Sequence, residues 1–419
     1  MTLAKAFDQL PKGRGWEYRI HRAAFLAGWF VRRGVNLRER VKGSPQTMAE
    51  VDILGISFDA SLIEHRLVGE CKDRKGNTKE ADRVVWLLGL RSVLEATDVL
   101  FAKPNLSDGI YIWAKPFDIS LWDEAAVRRI ESSFQLPEND GFTGSFNVDL
   151  CEGSLATLRD KPSDMHLKRA WDYLSGAFWY SPNTARTKRL PAYFQTVMQA
   201  KLAEEARDAY VAEGLVALLT CATNTARNLR RLSPARASTE LHNAFASGAA
   251  SATTLRDIAA RADAYYRDAI AKVSDRGRTA VQMPRLADSI AEPPPWLDEY
   301  LTFIEAVGQR PNAATDALRF ADLFLYETLL AGNNPPETVL TSFVTPTDEL
   351  LRTIRTAAYF ARRVWGVNCA LIERLLSSPG SDNRAEIQLP AVENSRAAGL
   401  PADDSSALAS TADPLRGRN

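Results

Sequence analysis

Two short apolar runs separated by a turn-like stretch constrain the fold of this chain more than any other feature. The first run covers residues 51–58 and carries Asp52 among apolar and β-branched side chains, and the second covers residues 62–70 and ends in Glu70, with Lys72 two positions later. Runs of this length bounded by turn residues predict two neighbouring strands. Side chains alternate along a strand, so Glu70 and Lys72 should share one face, where Asp52 of the other strand can approach them.

Two carboxylates beside a lysine form a combination that can hold a divalent cation next to a phosphodiester. Mg²⁺ binds through one or two carboxylates together with water and phosphate oxygens. A cation of this kind polarises a phosphoryl group, and a nearby ammonium stabilises the developing charge. Glu17, near the start of an amphipathic helical pattern, offers a further carboxylate. An E-x-K segment is also common on exposed strands, but the apolar Leu67 and Val68 before this one favour a buried position.

Three stretches of the chain resemble the PD-(D/E)xK nuclease superfamily, and within it the Mrr-like restriction endonuclease group. Residues 13–31 are similar to the opening helix of that group, residues 99–102 to its next core strand, and residues 109–123 to its closing helix and strand. The resemblance covers roughly residues 10–135. It implies an α/β fold, with a restriction-endonuclease-like αβββαβ core in which helices flank a mixed central sheet.

Four residues match the functional pattern of that superfamily. Glu17 corresponds to the helical acid, Asp52 to the strand aspartate, and Glu70 with Lys72 to the E-x-K pair. The resemblance implies that the two strand carboxylates and Glu17 bind Mg²⁺, with Mn²⁺ as a possible substitute. It also implies that Lys72 orients the attacking water.

The chain departs from the family pattern at two places. Val51 stands where many relatives have proline before the strand aspartate. Many relatives also carry a glutamine on the helix after E-x-K, whereas the predicted helix at residues 81–95 offers Asp82, Arg83 and Arg91. The second departure affects how water or phosphate would be positioned, and the metal site itself is unaffected.

The resemblance implies a Mg²⁺-dependent endonuclease that hydrolyses phosphodiester bonds, with duplex DNA as the leading substrate and bacterial restriction or antiviral defence as its setting. One alternative is an RNA-cutting nuclease, which the metal chemistry does not distinguish from a DNA-cutting enzyme. The other is a catalytically silent or gated scaffold that keeps the nuclease fold and works through its carboxy-terminal part.

The rest of the chain predicts a mostly α-helical domain. We divide the sequence into a nuclease domain (1–136), a linker (137–153), a helical domain (154–376) and a disordered tail (377–419). Three- and four-residue apolar spacing predicts helices in residues 190–218, 255–273, 296–307, 314–330 and 348–376. The helical domain could select the target, bind a partner defence protein, or join two copies into a homodimer.

Local rather than overall charge indicates where a nucleic acid could bind. The net charge is zero, yet residues 1–48 hold more Lys and Arg than Asp and Glu. A phosphate backbone requires such a local positive surface. The candidate contacts are Arg14, Arg19, Arg22, Arg83, Arg186, Lys188 and Arg189. His21, one helical turn after Glu17, is expected to be a polar helix position, with reach toward the site as the alternative.

Composition excludes several other classes of protein. The four cysteines are widely spaced, so neither a zinc site nor a disulfide framework is expected. The first residues lack the apolar core of a signal peptide, and the sequence has no uncharged apolar run long enough to span a membrane. We therefore expect a cytoplasmic protein without a membrane partner.

Overall fold

A computed structural model of the chain describes residues 14–41, 44–73, 79–136, 164–247, 258–268, 293–332 and 334–377. Its first part contains α1 (Arg14–Leu26), β1 (Phe30–Val41), β2 (Ser44–Phe58), β3 (Glu64–Cys71), α2 (Glu80–Val93), β4 (Asp98–Ala102), α3 (Asp108–Ala114), β5 (Ile119–Trp122) and α4 (Glu124–Ser133). A 3₁₀ turn at Lys115–Phe117 follows α3.

The second part contains helices joined by turns and loops, and its described residues form no strand. It contains α5 (Met165–Leu174), α6 (Asn183–Gln199), α7 (Glu204–Leu229), α8 (Pro234–Ser247), α9 (258–268), α10 (Leu297–Gly308), α11 (Pro311–Leu323), α12 (Glu337–Leu340), α13 (Thr347–Trp365) and α14 (Ala370–Ser377). A 3₁₀ turn at Ala177–Tyr180 precedes α6, and a π-helical segment, Phe324–Leu330, continues α11.

The five strands form one mixed sheet in the order β1-β2-β3-β4-β5. The first three strands are antiparallel, with Val35 opposite Val51 and Ile53 opposite Gly69. The pairs β3–β4 and β4–β5 are parallel, and α2 and α3 provide the crossovers that parallel neighbours require. The predicted α/β class, with a mixed sheet flanked by helices and a helical region after it, is confirmed.

Buried apolar side chains extend without a break from the sheet into the helical region. Phe30 and Val51 of the sheet belong to the same buried cluster as Phe194, Leu215 and Phe320 of the helices. Helix α11 contacts both β1 and β2, so it covers part of the sheet directly. The sheet that carries the candidate site is therefore supported by the helical region.

Several predicted helices are divided in the structure. The predicted helix 190–218 falls into α6 and α7, because the backbone at Ala200 is extended. The predicted helix 348–376 is interrupted at Gly366, whose φ of 67° is left-handed and caps α13. Within the predicted helix 255–273, the structure describes residues 258–268 as helical.

Two predicted segments cannot be compared with the structure. The linker 137–153 lies outside the described residues, and so do residues 378–419 of the predicted tail. The division into domains therefore stays a prediction. None of the described helices is long and apolar enough to cross a membrane.

Candidate active site

Strands β2 and β3 bring Asp52 and Glu70 next to one another at one end of their hairpin. Ile53 pairs with Gly69, so Asp52 and Glu70 occupy the next positions along the two strands. The ammonium Nζ of Lys72 lies 2.6 Å from Glu70 Oε1 and 3.3 Å from Asp52 Oδ2. The ammonium of Lys72 therefore bridges Asp52 and Glu70, the two carboxylates that the sequence analysis singled out.

Main-chain hydrogen bonds fix this arrangement. The backbone N–H of Cys71 donates to Asp52 Oδ2 at 2.8 Å, and the backbone N–H of Lys72 donates to the carbonyl of Ala102 on β4 at 2.9 Å. The Lys72 ammonium also donates to the Cys71 carbonyl at 3.0 Å. The site is thus attached to three adjacent strands, which limits the movement of its side chains.

Burial and charge repulsion both act on Glu70. Its side chain is 5% exposed. Burial, followed by the neighbouring charge of Asp52, raises the pKa of Glu70, while Lys72 and Arg83 act in the opposite direction. Burial also opposes the charge of Lys72, yet its hydrogen bond to Glu70 and the charge of Asp52 raise the pKa of Lys72 overall. A second cation would relieve the repulsion that remains between the carboxylates.

Glu17 of α1 belongs to the same electrostatic cluster. Burial raises the pKa of Glu17, and the charge of Asp52 adds to this effect. Arg33 and Lys72 oppose it by favouring the carboxylate. The structure therefore joins Asp52, Glu70 and Lys72 by direct contacts, and the charges of Asp52 and Lys72 act on Glu17 through space.

The sequence analysis missed Glu50, which also acts on this cluster. Its negative charge contributes to the raised pKa of Glu17. Glu50 is exposed and lies two positions before Asp52 on β2, which places both side chains on the same face of the strand. The alternation of side chains along a strand could have identified Glu50. It places Glu50 on the same face as Asp52, just as it places Glu70 on the same face as Lys72.

The donor set fits Mg²⁺. Asp52 and Glu70 supply the one or two carboxylates through which proteins usually hold this ion, with water and phosphate oxygens completing the coordination. In the part of the chain that the structure describes, no group of three or more His, Cys, Asp or Glu side chains is already arranged as a metal site. The pair joined by Lys72 would thus bind an ion together with substrate and water.

His21 is buried, contrary to the expectation of a polar helix position. Its side chain lies within the protein, and burial lowers the pKa of His21 well below its ordinary value. The charges of Arg33 and Arg32 act in the same direction. A neutral imidazole does not provide a charged group to the carboxylate cluster.

Arg19 and Arg22 hold α1 against α4 and do not face solvent. Arg19 binds Glu131 and Glu124, each at 2.8 Å, and Arg22 also binds Glu131. The side chain of Arg22 is 0% exposed. The prediction that these two arginines contact nucleic acid is therefore corrected, since a phosphate backbone cannot reach a guanidinium that is enclosed with its carboxylate partner.

The remaining predicted nucleic-acid contacts differ in position. Arg186 is buried and paired with Glu64 at the start of β3, which removes it from the surface. Lys188 is exposed, and Arg189 lies over the ring of Tyr173. Arg14 is half-buried at the start of α1.

Arg83 is the predicted contact that lies beside the candidate site. It belongs to α2, its side chain is 43% exposed, and its guanidinium lies 3.4 Å from Glu70 Oε1. It therefore combines access to solvent with contact to the carboxylate pair. Such a position suits a residue that binds a phosphate of the substrate.

Comparisons with known proteins identify no relative of this chain. No protein-family model matches the sequence, and neither a curated protein nor a solved structure is significantly similar to it. The case for a nuclease therefore depends on the residues described above and on the resemblance of short motifs.

Proposed function

We propose that this chain is a Mg²⁺-dependent endonuclease that hydrolyses phosphodiester bonds in duplex DNA. The observation that carries the proposal is the position of the Lys72 ammonium between Asp52 and Glu70 on adjacent strands. The order α1-β1-β2-β3-α2-β4 in the first part of the chain supports a restriction-endonuclease-like core. A role in bacterial restriction or antiviral defence follows by analogy with the group that the motifs resemble.

In this proposal, Asp52 and Glu70 would hold Mg²⁺ where β2 and β3 lie side by side inside the sheet. The ion would supply polarisation of the scissile phosphate and a lower pKa for a bound water. The strand backbone keeps both carboxylates in place through the N–H of Cys71 and the strand pairing. Because these groups are ordered before substrate arrives, little reorganisation is required during the reaction.

The other polar groups would act on water and phosphate. Lys72 already lies within hydrogen-bond distance of both carboxylates, so its ammonium can orient a water in the same space or stabilise charge on the phosphate. Burial and the charge of Asp52 raise the pKa of Glu17, which makes its carboxylate a better proton acceptor. Arg83 would bind a phosphate oxygen at the solvent side of the site.

The test is cleavage of supercoiled plasmid by the full-length protein with Mg²⁺, Mn²⁺ or EDTA. Asp52→Ala and Lys72→Ala should each reduce metal-dependent nicking at least about 100-fold. Asp73→Ala, one residue beyond Lys72, is the matched control and should retain cleavage. A parallel assay on single-stranded and duplex RNA determines whether RNA is the better substrate. Cleavage that persists in both site variants would contradict the proposal.

A catalytically silent scaffold is the second candidate, and one observation favours it. Lys72 neutralises part of the carboxylate pair, and enclosed ion pairs also occur as purely structural features. A folded wild-type protein that binds neither Mg²⁺ in calorimetry nor DNA in a gel shift would support the scaffold. Binding of both without cleavage would instead indicate a nuclease that requires an activator.

A further inference from the structure

The carboxylate of Glu80 is held by the segment that joins β4 to α3. Glu80 is the first residue of α2, and the ammonium of Lys103, directly after β4, donates to its Oε1 at 2.6 Å. Its Oε2 accepts from the hydroxyl of Ser107 at 2.6 Å and from the backbone N–H of the same residue at 3.3 Å. Both oxygens of the carboxylate are therefore used, and they attach the first turn of α2 to the end of β4.

This attachment is enclosed and rigid. The side chains of Glu80 and Lys103 are each 10% exposed, so breaking the pair would leave a charge with little access to water. Burial opposes the charge of Glu80, yet hydrogen bonds from Lys103 and Ser107 lower the pKa of Glu80 overall. Lys103 is fixed in turn, because its backbone N–H donates to the carbonyl of Trp122 on β5 at 3.0 Å.

The capping of the two helices gives an independent indication that this contact has a specific role. Ser107 is the N-cap residue of α3, where a serine usually accepts from a backbone N–H of the first turn. Within the described residues its side chain makes no such bond, and its hydroxyl donates to Glu80 instead. Lys79, at the N-cap of α2, also makes no side-chain capping bond in the part of the chain that the structure describes. Glu80 therefore ties down a helix start that has no side-chain cap.

The same turn of α2 carries Arg83 to the candidate site. Glu80 and Arg83 lie three positions apart, so their side chains project from the same side of the helix. The strands β3 and β4 are parallel neighbours, and Lys103 follows the end of β4 that lies beside Glu70 of β3. Glu80 thus contacts the end of one strand while Arg83 reaches the end of the other. The first turn of α2 spans the two strand ends.

The contact of Arg83 with Glu70 is too weak to hold the helix by itself. The guanidinium is 43% exposed and lies 3.4 Å from Glu70 Oε1, which is long for a hydrogen bond. An arginine side chain with this exposure keeps much of its rotamer freedom. The bond between Glu80 and Lys103 is shorter and enclosed. The position of Arg83 therefore depends on the attachment of Glu80, and the reverse dependence is weak.

We propose that Glu80 is a positioning residue, which fixes the first turn of α2 so that Arg83 can bind a phosphate of the substrate beside Glu70. The carboxylate of Glu80 contacts Lys103 and Ser107, so it acts through the helix and does not touch the reacting groups. The inference rests on the proposed function, because it requires a substrate that carries phosphates. It assigns to Glu80 an effect on substrate binding and not on the chemical step.

The test is cleavage of supercoiled plasmid by the full chain with Mg²⁺, with KM and kcat measured separately for wild type, Glu80→Ala, Arg83→Ala and the double variant. Arg83→Ala removes one charge-assisted hydrogen bond to phosphate and should raise KM about tenfold. Glu80→Ala should raise KM at least about fivefold and leave kcat within about twofold of wild type. In the double variant, KM should be no higher than in Arg83→Ala alone, because both substitutions remove the same contact.

Asp82→Ala is the matched control, since it removes another acidic side chain from the same turn and Asp82 is exposed. It should leave KM unchanged or lower it, because the loss of a negative charge favours DNA. Ser107→Ala removes one hydrogen bond to Glu80 and keeps Lys103 paired, so it should fold and raise KM by a smaller factor. Hydrogen exchange reports the attachment without DNA, and the amides of α2 should exchange faster in Glu80→Ala than in Asp82→Ala.

The outcomes separate this inference from the proposed function. Active wild type with the same KM for Glu80→Ala and Asp82→Ala would overturn the inference alone. So would a loss of kcat at unchanged KM in Glu80→Ala, or a double variant in which the two increases in KM multiply. A folded wild type that neither binds nor cleaves DNA would instead contradict the proposed function, and this inference with it.

Discussion

At the scale of single residues, the shared ammonium of Lys72 explains how Asp52 and Glu70 can lie so close together in a partly enclosed site. The ammonium reduces their repulsion but does not abolish it, since the pKa of Glu70 remains raised by burial and by Asp52. A raised pKa for an acid means that the folded state retains a proton that the unfolded state has released. At neutral pH the charge on Glu70 therefore reduces stability, as is common where residues are arranged for chemistry.

Asp52→Asn should lower the pKa of Glu70, because it removes a negative neighbour while keeping an oxygen that accepts from the Cys71 N–H. The contribution of Glu70 to stability is present below its ordinary pKa of 4.5 and is lost as pH rises through the raised value. The variant should lose less stability than wild type as the pH rises above 4.5. Urea denaturation across this range measures the difference, and equal pH dependence would contradict the expectation.

The enclosed pair between Arg22 and Glu131 should contribute strongly to stability. Glu131→Ala leaves the guanidinium of Arg22 buried without this carboxylate and removes one partner of Arg19. We expect a loss of about 3–5 kcal/mol in the free energy of unfolding. Arg128→Ala, which removes an exposed i,i+4 pair on the same helix, should cost no more than about 0.5 kcal/mol. Urea titrations of both variants test this, and similar losses would refute it.

At the scale of secondary-structure elements, local sequence patterns were sufficient to predict the two strands that carry the candidate site. The apolar runs at residues 51–58 and 62–70 predict the paired parts of β2 and β3, and the E-x-K spacing predicts the side chains that meet there. The full length of β2, which begins at Ser44, could not be predicted from the sequence. Polar residues in that extension lack the alternation that marks a half-buried strand.

Contacts between distant parts of the chain were not predictable from local pattern. Arg19 and Arg22 resemble solvated helix residues in the sequence, and only the fold brings Glu131 to them. In the same way, the break at Ala200 contains no proline or glycine that would mark the end of a helix. Periodicity reports which side of an element is apolar, and it does not report which element lies against that side.

The close contact between α6 and α7 provides an element-scale prediction. A Cβ on Gly214 would lie 2.6 Å from ring atoms of Phe194, so Gly214→Ala requires the two helices to separate or the ring to move. We expect a loss of about 1–3 kcal/mol. Gly308→Ala is the control, because its Cβ would make an ordinary contact at 3.4 Å with Ala226. Thermal unfolding should show a lower Tm for the first variant alone, and an unchanged Tm for Gly214→Ala would count against this packing.

At the scale of the whole molecule, the sheet and the helical region are joined by charged as well as apolar contacts. Arg32 of β1 pairs with Asp322 of α11 at 2.8 Å and with Glu213 of α7 at 3.2 Å. Glu64 at the start of β3 contacts Arg186 of α6. These contacts attach the sheet that carries the site to three helices of the second part.

We therefore expect the sheet and the helical region to unfold in one cooperative transition, because their buried residues form a single cluster. Near-ultraviolet circular dichroism and hydrogen exchange, measured through the same denaturant range, should report coincident midpoints for β1–β5 and for α6–α7. Two separated midpoints would instead support the independent domains predicted from the sequence.

The most direct test of the central claim is the single-turnover rate of plasmid cleavage with Mg²⁺ for wild type, Asp52→Asn and Asp73→Asn. Both substitutions replace one carboxylate by an amide of the same shape, but only Asp52 meets Glu70 and Lys72. The account predicts Mg²⁺-dependent cleavage by wild type and Asp73→Asn, and a loss of at least about 100-fold for Asp52→Asn. Equal cleavage by the two asparagine variants would contradict it.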